Sequence, residues 1–294
     1  MGEVIVAADV GGTRTTVAVQ VDGVERARVV AAGAAVRPGR AMASAATIAA
    51  AARQALAATG QIRGSLLIVG AAGAGREAEA GELARALRAE EVATTVRVTT
   101  DLALALAAAF PDGPGVVLSA GTGSVAVARS ADGAELRMGG YGWQMGDGGS
   151  GYDIGRSALM RVSLSHDGLA PATGLEAALL AAARATDYDA LVRWAAGAGP
   201  REVASLAAPV LAEAGEGDSA ARAIVEYAAK QLSELVTALA KRSGVRDVAL
   251  TGGLMQAGPL RDAVSARLGK SGLNVLDKTV DPIAGAWQLV ARSS

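Results

Sequence analysis

The feature that most limits the fold is a unit that occurs twice. The apolar run Val4 to Ala8 leads into Asp9-Val10-Gly11-Gly12-Thr13, and the β-branched stretch Thr15 to Val21 follows. The pattern restarts at Val116 to Leu118, is interrupted by Gly121-Thr122-Gly123, and returns through Val125 to Ala128. Each copy reads as strand, glycine turn, strand, and Asp22-Gly23 and Asp132-Gly133 supply the next turns. The first copy is a β-hairpin followed by a further strand. Helices are expected over Pro38 to Thr59, stopped by Gly60, and over Glu77 to Glu90, with strands at Ser65 to Val69 and Thr94 to Thr99. A third apolar helix, Leu102 to Phe110, ends at the break Pro111-Asp112-Gly113-Pro114-Gly115.

Beyond the second copy, Gly139 to Gly155 is dense in glycine and long enough to be a functional loop rather than a connector. Helices dominate from Ser157 to Ser243. The clearest is Ala220 to Ser243, where Val225, Ala228, Leu232, Val236 and Leu239 form one stripe. A strand at Val248 to Leu250 ends in Thr251-Gly252-Gly253, and a helix at Pro282 to Val290 closes the chain. The two halves read as weak internal duplicates. We therefore expect two α/β domains facing each other across a cleft. They are residues 1–112, with the closing helix 282–294 packing back on them, and residues 113–281.

Composition removes whole classes of chemistry. The 294 residues include no cysteine, which excludes disulfides, thiolate zinc sites, iron–sulfur clusters and Cys nucleophiles. The single histidine, His166, leaves no room for a His-based triad or a multi-His metal site, and we expect it in a surface turn. Acid/base work would fall on carboxylates. With 51% apolar residues, rich in alanine and with one Phe, the core must pack backbones closely. A net charge of -1 without a long basic run argues against nucleic acid and anionic membrane as partners. No stretch is clean enough for a membrane span, and Met1-Gly2-Glu3-Val4 lacks a basic region followed by an apolar one. A soluble cytoplasmic protein is the expectation.

Successive amides in a glycine turn can converge on an anion, and Thr13 and Thr122 add hydroxyl donors beside them. Neither turn is the single P-loop, because Gly-x-x-x-x-Gly-Lys-Ser/Thr is absent. Asp9, just before the first turn, is placed to hold Mg²⁺ or to cap the turn. Asp101, after a strand and before a helix, reads by itself as an N-cap. Asp147 lies in the glycine-rich loop with Tyr141 and Trp143. A ring beside a carboxylate is a common way to hold a sugar; for Trp143, anchoring the loop to the core is an equal reading.

Together these residues resemble a known group. Asp9-Val10-Gly11-Gly12-Thr13, Ser119-Ala120-Gly121-Thr122-Gly123-Ser124 and Thr251-Gly252-Gly253 resemble the two phosphate motifs and the adenosine motif of the sugar kinase/Hsp70/actin superfamily. The loop Gly139 to Tyr152, the segment Gly70 to Arg76 and the closing Asp281-Pro282-Ile283-Ala284-Gly285-Ala286 are similar to the N-acetylglucosamine kinase and BadF/BadG-type ATPase family. The resemblance spans essentially the whole chain. It implies an actin-like ATPase (ribonuclease H-like) fold, with ATP and Mg²⁺ as cofactors, a small-molecule sugar as substrate, and a homodimer. It implies Asp101 as catalytic base and Gly140, Tyr141 and Asp147 as sugar contacts. Gly11, Gly12, Thr13, Gly121, Thr122 and Gly123 would hold phosphate, Gly252 and Gly253 the adenosine side, and Asp9 the metal.

The sequence departs from the family twice. An Asn after the second strand, which binds sugar hydroxyls in the family, is replaced by Gly33-Ala34-Ala35-Val36-Arg37; the one asparagine is Asn274. Gly148 stands where family members usually carry Glu. The activity implied is transfer of the ATP γ-phosphate to a sugar hydroxyl, the 6-OH, with N-acetylglucosamine, glucosamine, N-acetylmuramic acid or glucose as acceptor. The rivals are a dehydratase-activating ATPase, which needs cluster cysteines, a zinc-containing repressor or kinase, which needs cysteines and a placed histidine, and a sugar sensor that transfers nothing.

Overall fold

The computed structural model describes residues 3–292 and divides into two compact bodies. The first runs to Gly113 and takes back the chain from Val280; the second is Pro114–Thr279. Residues 293 and 294 of the expected closing helix, and Met1 and Gly2 of the N-terminus, lie outside the described residues.

In the first body, β1 (Val4–Val10), β2 (Arg14–Val21) and β3 (Val24–Ala32) form an antiparallel meander. β4 (Gly64–Ala71) and β5 (Ala93–Thr99) add in parallel, giving the order β3-β2-β1-β4-β5. The central strand β1 is apolar nearly throughout because both its faces are covered. Val4, Val6, Ala8 and Val10 share one cluster with α1 (Ala41–Ala57) and α2 (Glu77–Ala89). Ile5 and Ala7 share another with Leu104 of α3 (Asp101–Ala109) and Ile283, Ala286 and Val290 of α11 (Pro282–Ala291). The alternation of the strand thus assigns its two helix layers.

The second body repeats the plan. β6 (Gly115–Ala120), β7 (Ser124–Arg129) and β8 (Glu135–Gly139) are an antiparallel meander; β9 (Asp247–Thr251) and β10 (Asn274–Val275) add in parallel, in the order β10-β9-β6-β7-β8. Read outward from the first strand of each meander, the two sheets have one topology, as the twin glycine turns lead one to expect. Between β8 and β9 lie α4 (Gly151–His166), α5 (Leu175–Ala183), α6 (Tyr188–Gly197), α7 (Pro200–Ser205), α8 (Ala207–Glu216) and α9 (Ser219–Ser243); α10 (Pro259–Lys270) precedes β10.

Three local expectations need correction. The helix expected from Pro38 begins at Ala41, after a turn at Pro38 and Gly39. The glycine loop ends at Ser150, not Gly155, because Ser150 Oγ accepts from the Asp153 amide and caps α4. His166 is the last residue of α4 rather than a turn residue, and its ring stacks on Tyr188 with centroids 3.7 Å apart.

Candidate active site

The first glycine turn joins β1 to β2, closed by the Gly11 amide donating to the Arg14 carbonyl at 2.9 Å. The Thr13 carbonyl accepts from the Gly33 amide at 3.0 Å, so the segment after β3 rests against the turn. Thr13 itself is exposed. Asp9 is the last residue but one of β1, with Gly70 of β4 on one side and Thr16 of β2 on the other. Burial, and then the negative charges of Asp101 and Asp281, push its carboxyl up to about 7, while Arg14 opposes them.

Asp101 occupies the first position of α3. The cap is its neighbour: Thr100 Oγ1 accepts from the Ala103 amide at 3.0 Å. The bare reading of Asp101 as a cap is therefore corrected. Thr100 is the capping residue, and the Asp101 carboxylate accepts from the adjacent Leu102 amide at 3.0 Å. Asp281, which sequence reasoning quoted but gave no role, caps α11 through the Ile283 amide at 3.1 Å and is gripped by Arg28 at 2.9 and 3.2 Å. Its signal was the Asp-Pro pair, since Pro at the first helical position follows an Asp cap. One body thus gathers three aspartates around the first turn.

The second turn joins β6 to β7, and here the Gly121 amide donates to the Gly123 carbonyl at 2.9 Å. Two amides from the start of α4 complete it: Gly151 donates to the Gly121 carbonyl at 2.8 Å and Tyr152 to that of Thr122 at 3.3 Å. The electropositive end of α4 therefore abuts the turn. Gly252, just after β9, has φ 96° and packs its α-carbon on the carbonyl of Ala120, a place no side chain could share. It opens a 3₁₀ turn, Gly253–Met255, beside a cavity of about 280 Å³ lined by Leu211, Gly253, Leu254, Gln256, Gly258 and Leu260.

The loop between β8 and α4 carries the other predicted residues. The Gly140 amide donates to the Ser124 carbonyl at 3.0 Å, and the Gly140 carbonyl accepts from Arg137 at 3.0 Å. Tyr141 is exposed; Trp143 is 44% exposed with its ring 5.1 Å from that of Tyr152, so it is no core anchor. Asp147 has φ 60°, a left-handed conformation that is costly for a residue with a side chain. Amides of Ser124 and Gly142 donate to its carboxylate, yet burial outweighs them and raises the carboxyl above its ordinary range. Its Oδ1 is buried with no donor. A Cβ on Gly123 would stand 2.7 Å from its Oδ2, so the strained aspartate sits directly on the second turn.

Comparison with known proteins gives the family. The model of the BadF/BadG/BcrA/BcrD ATPase family matches residues 7–290. The chain belongs to that family. It is 31% identical over 170 residues to an N-acetylmuramic acid/N-acetylglucosamine kinase of Clostridium acetobutylicum, covering 57% of this chain and 56% of that one. It is 31% identical over 190 residues to an N-acetyl-D-glucosamine kinase of Dictyostelium discoideum, covering 61% and 60%. The matches thus span under two thirds of these curated relatives. A crystal structure of a candidate N-acetylglucosamine kinase from Chromobacterium violaceum superposes with a TM-score of 0.84 at 26% identity, covering 98% of this chain and 99% of that one. The fold is the actin-like ATPase fold of sugar kinases. No helix among the described residues is long and apolar enough to cross a membrane.

Proposed function

We propose that this member of the BadF/BadG/BcrA/BcrD ATPase family is an amino-sugar kinase that moves the γ-phosphate of ATP to the 6-hydroxyl of N-acetylglucosamine or a close analogue. The observation that carries the reading is the contact of Asp147 with the second glycine turn. A sugar held by that carboxylate lies beside the backbone that grips phosphate. The names of the relatives, both kinases of N-acetylated amino sugars, support the same acceptor class.

In this reading Gly11, Gly12 and Thr13, and Gly121, Thr122 and Gly123, are the phosphate contacts, and Gly252 and Gly253 lie on the adenosine side. Gly140, Tyr141 and Asp147 bind the sugar. Asp101 accepts the proton of the attacking hydroxyl, a task within a carboxylate's range when phosphoryl transfer runs through a loose transition state. The residues present fit Mg²⁺. Among the described residues no group of three or more acidic, His or Cys side chains is spaced to enclose a metal, and Mg²⁺ bound to nucleotide needs only one or two carboxylates. Asp9 is the one we assign. Its buried carboxyl, proton-retaining up to about 7, is the group that a cation would ionise. Bound there, Mg²⁺ would neutralise phosphate charge.

The test is to incubate the purified protein with ATP and Mg²⁺ against hexoses and amino sugars, following product mass. A phosphorylated N-acetylated amino sugar is expected. ATP binding with no sugar phosphorylated would overturn the reading in favour of a sensor.

A further inference from the structure

Helix α9 supports the glycine loop with one stripe of its surface. A Cβ on Gly149 would stand 2.5 Å from the Ala228 carbonyl oxygen and 2.6 Å from Leu232 Cγ, and one on Gly139 would stand 3.3 Å from Leu235 Cδ2. Positions 228, 232 and 235 follow helical spacing, and Gln231 lies among them. It is the polar member of an otherwise apolar stripe. Its amide lies where a side chain at position 148 would begin: a Cβ there would be 3.0 Å from Gln231 Nε2 and 3.4 Å from Oε1. Gln231 Oε1 is buried without a donor, as is Asp147 Oδ1 one residue before Gly148. Two buried acceptors without donors in one loop support are costly unless a ligand supplies the donors.

We propose that Gln231 is a specificity-determining residue for the acceptor. Gly148 leaves the room, and the Gln231 amide takes it, setting a neutral carbonyl acceptor against the loop residue that follows Asp147. The donors it would take are sugar hydroxyl or acetamido N–H groups. This rests on the kinase reading of the same loop, and it assigns the space opened by Gly148 to a residue more than 80 positions away.

The experiment compares wild type with Gln231→Leu, which keeps the bulk and removes the carbonyl. N-acetylglucosamine binding is followed by tryptophan fluorescence, and KM is measured for sugar and for ATP. We expect sugar affinity to fall about three- to tenfold with the ATP KM unchanged. Gly148→Ala, which pushes the amide aside, should produce a similar loss in wild type and none in a Gln231→Ala background. Equal sugar affinity in wild type and Gln231→Leu overturns the proposal even if phosphate transfer is intact. Sugar binding that weakens in Gln231→Leu although neither protein phosphorylates sugar upholds it while sinking the kinase reading. No sugar binding by wild type overturns both.

Discussion

The two bodies share a topology and differ in chemistry. Each places a glycine turn after the first strand of its meander, and each has two parallel strands beyond it. Yet the position two residues before the turn is Asp9 in one and Ser119 in the other. Around the first turn stand Asp9, Asp101 and Asp281, whose mutual repulsion is felt at Asp9. Around the second stand backbone amides, the start of α4, and a single strained aspartate brought in by a loop. One framework, used twice, thus separates two jobs. The first body concentrates charge that can take a proton or face a cation, and the second fixes geometry.

The division breaks most decisively at Asp101. Asp101→Asn should lower kcat by roughly 10²- to 10⁴-fold, with ATP affinity unchanged. Assaying turnover beside direct ATP binding separates the two. Turnover near wild type would move the proton acceptor elsewhere.

The charge in the first body should also be visible without substrate. The Asp9 carboxyl is raised from 3.8 to about 7. Between those values the folded chain holds a proton that the unfolded chain has lost, so stability falls as pH rises and levels off above about 7. The full effect is at most roughly 4 kcal/mol. Denaturation by urea in EDTA, from pH 4 to pH 8, should show this decline in wild type and lose it in Asp9→Asn. A matching decline in the variant would place the buried charge at another residue.

The second body is tested at its loop. Asp147→Asn removes the charge and keeps the shape, so the sugar KM should rise about tenfold to a hundredfold while the ATP KM holds, as expected for a hydrogen bond to a charged group. A larger change for ATP than for sugar would make Asp147 part of the phosphate machinery and erase the contrast between the bodies.

How much of this was legible beforehand depends on whether the signal was local. Glycine turns, strand alternation and the stripe of α9 are short-range patterns, and the structure places them within a few residues of expectation. The end of the glycine loop was misplaced because Gly151 and Gly155 look like loop residues, while a single serine, Ser150, decides the boundary by capping. Asp101 by itself reads as a cap because it follows a strand and opens a helix, and only the structure shows that the capping hydroxyl belongs to Thr100. Gln231 could not be found at all. In sequence it is one polar residue in a helix whose stripe reads as core, and its meaning comes from Gly148, with which it has only a tertiary relation. The pairing of Asp281 with Arg28 was hidden for the same reason, the two being 253 positions apart.

That last pair gives the finest test of the contrast. Arg28 holds Asp281 at 2.9 Å and Glu25 at 2.8 Å, and Trp287 Nε1 adds a bond to Glu25 at 3.2 Å. The second body has a surface pair of similar kind, Arg267 with Glu226 at 2.7 Å, its side chains 39% and 59% exposed. Both pairs are largely in water, so Arg28→Ala and Arg267→Ala should each cost about 1 kcal/mol or less. Their pH behaviour should differ. Asp281 is among the charges that raise Asp9. Without Arg28 its charge is less compensated, so Asp9 should keep its proton to a higher pH and the window of declining stability should move upward. Arg267 has no role at Asp9, and its loss should lower stability evenly across the same range. If both variants shift the window alike, or neither does, the charge at the first turn is insulated from its surface partners, and the contrast between the bodies reduces to Asp9 and Asp101 alone.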